Sequence, residues 1–252
     1  MKNKGGAVLL GFLVVAGCVF AGGSEDAYAQ SSRDFRFGEP RFSLGFNMGY
    51  GIPMASSDIY EHVTTFHTLE KSDFRSMVLG GSFGIRLTNR LEASIDLSYG
   101  NSNNGSEFRD FVDLDDLPIE QRTKLSWIPF TATLKAYLWD RGRRVSQFAW
   151  VPGQWTPFVG AGAGKVYYNF RQTGDFVDYE TYEIFYDEFR SDGDTGIFHL
   201  LAGAEVSLTP YIYLTGEGRY SWAKADMDRD FQDFDPIDLS GFQGTVGLAV
   251  RF

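Results

Sequence analysis

Eight stretches of this chain alternate between apolar and polar residues, and that period of two constrains the fold more than any other property. In FQGTVGLAVRF, residues 242–252, Phe242, Gly244, Val246, Leu248, Val250 and Phe252 share one face. Gln243, Thr245, Gly247, Ala249 and Arg251 share the other. Successive side chains of a strand point to opposite sides of a sheet, so the run reads as β. The same pattern passes through RFSLGFNMGY (41–50), LGGSFGIRL (79–87), LEASIDLSYG (91–100) and IPFTATLKAYLW (128–139). It returns in TPFVGAGAGKVYYNF (156–170), FHLLAGAEVSL (198–208) and YIYLTGEGRYSW (211–222). Composition agrees, since 23 Phe, 13 Tyr and 29 Gly against 8 Pro favour strands and tight turns.

Two positions disturb the pattern. Pro129 has no amide hydrogen to give a ladder, which places it above a membrane zone or at a bulge. Lys165 falls on the apolar face of its segment, which a bulge or a position at the membrane rim would accommodate. The connections alternate in length. Those after the second and sixth segments are tight and that after the fourth is moderate (140–155), while those after the first, third, fifth and seventh run to some twenty residues.

No run beyond residue 30 approaches the ~18 apolar residues of a membrane-spanning helix. Each alternating segment is instead about the length a tilted strand needs to cross a bilayer, and in lipid only a closed barrel leaves no unpaired strand edge. Tight turns at one end and long loops at the other describe an all-β, eight-stranded antiparallel up-and-down transmembrane barrel with long extracellular loops and periplasmic termini. A soluble lipocalin-like barrel has the same periodicity inverted, with the apolar face around a ligand. The polar faces argue for the membrane form. They carry Arg86, Lys135, Arg219 and Arg251 against Glu92, Asp96, Glu205 and Glu217, sparsely set among small residues. Such a balance suits a narrow lumen, where buried charge must be paired. Aromatics such as Phe42, Tyr50, Tyr99, Trp139 and Trp222 cluster at segment ends, as interface girdles do.

Residues 1–29 read as an export signal, with Lys2 and Lys4, an apolar stretch and a small-residue site ending at Ala29. VAGC at 15–18 also fits a lipoprotein cleavage box that would lipidate Cys18; the competing and favoured reading leaves Cys18 in the removed segment. Residues 30–40 follow as a periplasmic tail and residues 41–252 as the barrel. One cysteine rules out an intramolecular disulfide framework, and a net charge of −10 argues against nucleic-acid binding.

With these segments in view, residues 40–252 resemble the small bacterial outer-membrane barrels of the OmpA, OmpX and OmpW type. The marks are Phe252 after alternating apolar residues, PFVGAGAG at 157–164 and LTPYIYLTGEGRYSW at 208–222. Where such proteins often read EYRY, this chain has EGRY at 217–220, keeping Glu217 and Arg219. The resemblance implies a Gram-negative outer-membrane location and makes Phe252 a barrel-assembly signal read by the assembly machinery. It constrains activity weakly, because such barrels include adhesins, envelope stabilisers, small-solute channels and a few lipid-modifying enzymes.

The expected external loops, 54–76, 101–122, 169–194 and 223–239, hold 24 of the 33 acidic residues but 8 of the 23 basic ones. They make the cell-surface face acidic and aromatic, and the third, which alternates acidic with aromatic residues over 175–189, is expected to extend its hairpin above the membrane. Asp226, Asp228 and Asp230 begin like a calcium loop, but Phe231 replaces its glycine and Ile237 its last ligand, so weak cation binding is the most this loop promises and no metal site is assigned. His62, His67 and His199 lack a nucleophile at motif spacing, and His199 reads as a rim histidine. The expectation is a monomeric, non-enzymatic, cofactor-free barrel in contact with lipopolysaccharide and an extracellular partner, serving surface interaction or envelope integrity; a small-solute channel is the alternative.

Overall fold

The period-two segments become strands of one closed sheet. A computed structural model describes residues 36–112, 117–146, 148–178, 181 and 183–252. The expected signal peptide, Cys18 and residues 30–35 of the tail lie outside the described residues. Eight strands form the barrel: β1 (Phe42–Pro53), β2 (Ser76–Arg86), β3 (Leu91–Val112), β4 (Pro118–Tyr137), β5 (Trp155–Val177), β6 (Ile184–Ser207), β7 (Ile212–Trp222) and β8 (Gly241–Arg251). Each pairs antiparallel with its neighbours in the chain, and β8 closes the ring on β1 with Leu248 opposite Phe46. The seam extends to Phe252, whose amide donates to the Phe42 carbonyl at 2.9 Å and whose carbonyl accepts from Phe42 at 2.8 Å.

The outer face of the ring is an apolar belt. Phe46 (58%), Leu97 (52%), Phe130 (51%) and Leu248 (50%) are exposed side by side around it. So continuous an apolar surface is not tolerated in water and is what lipid requires. Among the described residues no helix is long and apolar enough to cross a membrane.

Two of the expected loops are strands. β3 to β6 run 22, 20, 23 and 24 residues, about twice a membrane crossing. The ladders continue through most of 101–122 and 169–194 because the faces exchange character above the belt. Along β4 the outward residues change from Ile128 and Phe130 to Lys124, Arg122 and Glu120, while the inward ones change from Thr133 and Thr131 to Leu125 and Ile119. The sheet stays two-faced while its polarity inverts, as a soluble sheet packed on a core requires.

That core is built by the other two connections, which together form a cap on the extended sheet. Residues 54–76 form helix α1 (Asp58–Phe66) and a short 3₁₀ turn (Lys71–Phe74). Tyr60, Val63 and Phe74 from this segment and Phe231 and Ile237 from 223–239 pack with Leu125, Tyr168 and Phe170 in one buried cluster. Both free edges of the extended sheet are covered. Thr68 donates its amide to Glu107 at 3.0 Å on β3, and Thr195 on β6 donates to the Lys224 carbonyl at 2.7 Å. Covering edges in this way prevents pairing with another chain.

Neither irregular position forms a bulge. The β4–β5 register is continuous through Pro129 and Val166, while on the β3 side pairing lapses between Leu97 opposite Phe130 and Gly100 opposite Trp127 without a register change. Lys165 stays on the outer face, where its ammonium meets Asp194 at 2.6 Å.

Candidate functional site

Inward-facing residues of the membrane zone converge on a layered charge network. Glu92, Asp96, Lys135, Glu205, Arg219 and Arg251 are all buried. Glu217 and Arg86 are nearly so, at 12% and 7% of their side chains. In the middle layer Lys135 reaches across to Glu217 at 3.1 Å, and Arg219 donates to the same carboxylate at 3.1 and 2.9 Å. Asp96 lies 3.8 Å from Arg219 and accepts from Thr133 at 2.5 Å and Ser94 at 3.2 Å. β3 and β7 stand on opposite sides of the ring, so the Asp96–Arg219 pair spans the lumen.

The lower layer centres on a residue that alternation did not point to. Arg141 lies beyond the end of β4, in the turn, and folds back inside. It donates to Glu92 at 2.5 Å and to both oxygens of Glu205, at 3.1 Å from Nε and 3.0 Å from Nη2. Tyr137 donates to Glu205 at 2.6 Å, and the Arg141 guanidinium lies 4.4 Å from the Tyr137 ring. Arg251 stacks on Tyr213 at 4.2 Å and bonds Ser207 at 3.0 Å. Arg86 leaves the strand-borne carboxylates and pairs with Glu39 at 2.6 Å. The lumen thus gains Arg141 as a fifth cation and Glu39 as a fifth anion.

Below this layer, residues 142–146 and 149–152 cover the short-turn mouth of the barrel. Gly142–Ser146 and Ala149–Pro152 form a hairpin that Arg36–Phe37 joins as a third strand. The expected tail is therefore paired at its described end, and the 140–155 connection is a plug. Trp150, 1% exposed, lies between Arg86 and Arg251, 5.9 and 5.6 Å from its ring.

His199 corrects the rim assignment. It shares the inward face of β6 with Leu201 and Glu205, is 2% exposed, and lies 3.1 Å from Thr133 Oγ1. Glycine makes its place, for a Cβ on Gly162 would meet the imidazole at 2.5 Å. Asp96 contacts Thr133 rather than the imidazole, so these groups do not form the base–orienter chain of a hydrolase. A space of about 30 Å³ remains in the charged layer and one of about 50 Å³ between it and the cap, the latter bordered by His199, Arg219 and Trp127. Each has room for a water or two.

Above, Asp238 holds the cap together. Its carboxylate accepts from Ser56 Oγ and from the Ser240 amide at 2.9 Å, and its carbonyl accepts from Tyr60 at 3.1 Å. Burial pushes the Asp238 carboxyl up, but the bonds from Ser56 and Ser240 outweigh it and leave its pKa below the ordinary value. Burial lowers the pKa of both His62 and His67.

The expected cation loop is used differently. Asp228 accepts from the Asp192 amide at 3.0 Å and Asp230 from the Arg190 amide at 3.1 Å, while Asp226 contributes its carbonyl to Tyr168 at 2.6 Å. The carboxylates bind the edge of β6 one by one, and among the described residues no group of three or more His, Cys, Asp or Glu is placed to hold a metal ion.

No protein-family model matches the chain, and no curated protein matches it. Solved structures similar to it include Neisserial surface protein A, at 14% identity over 84% of this chain and 96% of that one, with a TM-score of 0.45. Ail, the attachment invasion locus protein of Yersinia pestis, is 12% identical over 84% of this chain and 99% of that one, with a TM-score of 0.41. The N-terminal β-barrel domain of Pseudomonas aeruginosa OprF is 14% identical over 85% and 100%, with a TM-score of 0.36. These neighbours are small bacterial outer-membrane β-barrels, and this chain, on the evidence of its own strand pairing, is an eight-stranded transmembrane barrel.

Proposed function

We propose that the chain is a non-enzymatic integral protein of the bacterial outer membrane whose extracellular half, a sheet folded on its own core, is a surface-interaction module. The observation that carries this reading is the upward continuation of β3 to β6 under a packed cap, ending in the exposed tip Ile184, Phe185 and Tyr186 (36, 41 and 73%). Asp175, Glu183, Asp187 and Glu188 surround that tip. Aromatic groups presented by a rigid scaffold among acidic neighbours suit recognition of a partner with an apolar centre and basic rim. Below, a paired ionic network and the Trp150 plug suit a rigid support rather than a small-solute channel. Insertion by the assembly machinery with Phe252 as its signal, contact with lipopolysaccharide and a monomeric state complete the reading.

Cells displaying Tyr186→Cys should react with an impermeant thiol reagent, while Phe148→Cys, at the plug hairpin, should not. The reverse pattern, or a chain soluble without detergent, contradicts the placement and favours a lipocalin-like barrel. Replacing Phe185 and Tyr186 by Ser should abolish adherence conferred on the displaying cell; unchanged adherence removes the tip from the account.

A further inference from the structure

Arg122, Lys124, Arg171 and Arg190 gather on the outer face of the extended sheet. Strand register sets Lys124 opposite Arg171 and Arg171 opposite Arg190, with Arg122 one outward position farther up β4. Like charges directly opposite destabilise a sheet unless an anion lies between them. The sheet's own carboxylates supply part of the need, since Glu188 is 3.1 Å from Arg171 and Asp192 is 2.9 Å from Arg190. Among the described residues Arg122 and Lys124 pair with no carboxylate, and Arg171 Nε has no hydrogen-bond partner.

The position of this row indicates what meets it. The outward residues of β4 run Ile128, Ser126, Lys124, Arg122, so the cations begin four residues above the last apolar one. At the rise and tilt of a barrel strand that is about 10 Å along the axis, at the outer boundary of the headgroup layer and within reach of long side chains bending toward it. Asn101, Ser126 and Asn169 fill the intervening level with neutral donors, and the aromatic rings of Tyr99 and Tyr167 mark the belt's edge. On the distal side Glu107, Glu120 and Asp175 repel an anion. An open groove of about 780 Å³ runs along this face, with Arg122, Lys124 and Arg171 lining its membrane side beside Glu188, and Glu107, Glu120 and Asp175 lining its distal side.

We propose that this row binds the phosphate groups of an outer-leaflet lipid, approached from the membrane side. The inference rests on the membrane placement proposed above, and it names the lipid contact that fixes the height of the extracellular module. The neutral donors satisfy phosphate oxygens that the cations leave free, while the distal carboxylates set the direction of approach.

The test reconstitutes the full chain in phosphatidylcholine vesicles containing a bis-phosphorylated glucosamine lipid. Lipid retained after gentle extraction is then counted by native mass spectrometry. The wild type should retain the phosphorylated lipid and release its dephosphorylated form, and Arg122→Gln/Lys124→Gln should retain about thirtyfold less. Should the double variant lose the heat-modifiable gel shift of a folded barrel, Lys124→Gln alone is read, with a loss of about fivefold. Equal retention by variant and wild type, or equal retention of the dephosphorylated lipid, overturns the proposal. So does a row that captures a soluble sulfated polysaccharide while retaining no lipid. Failure of the membrane placement looks different, because the wild type itself would then not enter the vesicles.

Discussion

Arg141 donates to both carboxylate oxygens of Glu205 across the lumen, 3.1 Å from Nε to Oε2 and 3.0 Å from Nη2 to Oε1, although it belongs to a turn rather than to a strand. The same guanidinium reaches Glu92, so one side chain ties β3 and β6 together at the short-turn end of the barrel. Removing one member of a buried charge pair leaves the other desolvated and alone. Arg141→Ala is therefore expected to cost about 3–5 kcal/mol, read as a lower unfolding midpoint in detergent. The comparison is Arg90→Ala, whose partner Asp140 and whose own side chain are half exposed. That change should cost less than about 1 kcal/mol. Equal effects would show that the lumen pair is no more than a surface pair.

Glu217 stands between Lys135 and Arg219, and Glu217→Ala strands Lys135 and leaves Arg219 with Asp96 alone, at 3.8 Å. Adding Lys135→Met removes one of them. The double variant is expected to recover part of the stability lost by the single one, with a coupling of about 0.5–3 kcal/mol in a double-mutant cycle. Strict additivity of the two changes would mean that the residues do not share a network.

The cap should loosen in acid in two stages. His62 and His67 have pKa values lowered by burial, so the stability they contribute is present above their unfolded value of about 6.5 and declines as the pH falls through the lower folded values. Asp238, also lowered overall, contributes stability above its unfolded value of about 3.9 and loses it as the pH falls further. Hydrogen-exchange protection of residues 58–74, taken relative to the intrinsic rate at each pH, should fall in both windows, and Asp238→Asn should erase the second. Protection that rises on acidification contradicts the assignment.

Asp228 and Asp230 cap amides of the β6 edge. Replacing both by Ala should speed exchange at Asp192 and Arg190, each lost bond costing about 1–3 kcal/mol locally. Chelators should leave the wild type unchanged. A calcium-dependent rise in the wild-type midpoint would restore the cation-loop reading.

How much of this was readable in the chain varies with what each position obeys. Leu97 and Phe130 face lipid, and their alternation with Asp96 and Thr131 exposes the membrane strand, because a single period governs both faces. Above Ile128 the same strand keeps its period but exchanges polarity, so a search for an apolar outer face stops where the strand does not. His199 obeys the alternation that places Glu205, and extending the phase of β6 back from Glu205 finds it. Arg141 and Trp150 obey no period. They lie in a connection whose fold depends on the shape of the mouth it fills, and nothing local to residues 140–155 marks them. Asp228 and Asp230 carry a metal-like spacing, but their ligands are amides of a strand distant in sequence.

The charge-paired, capped and plugged barrel is expected to support the extracellular module without offering a passage. Planar-bilayer recording of folded full-length protein tests it most directly. The predicted record shows insertion without resolved current steps, and Trp150→Gly, which opens the floor, should begin to flicker. Steady, ion-selective steps from the wild type would contradict it.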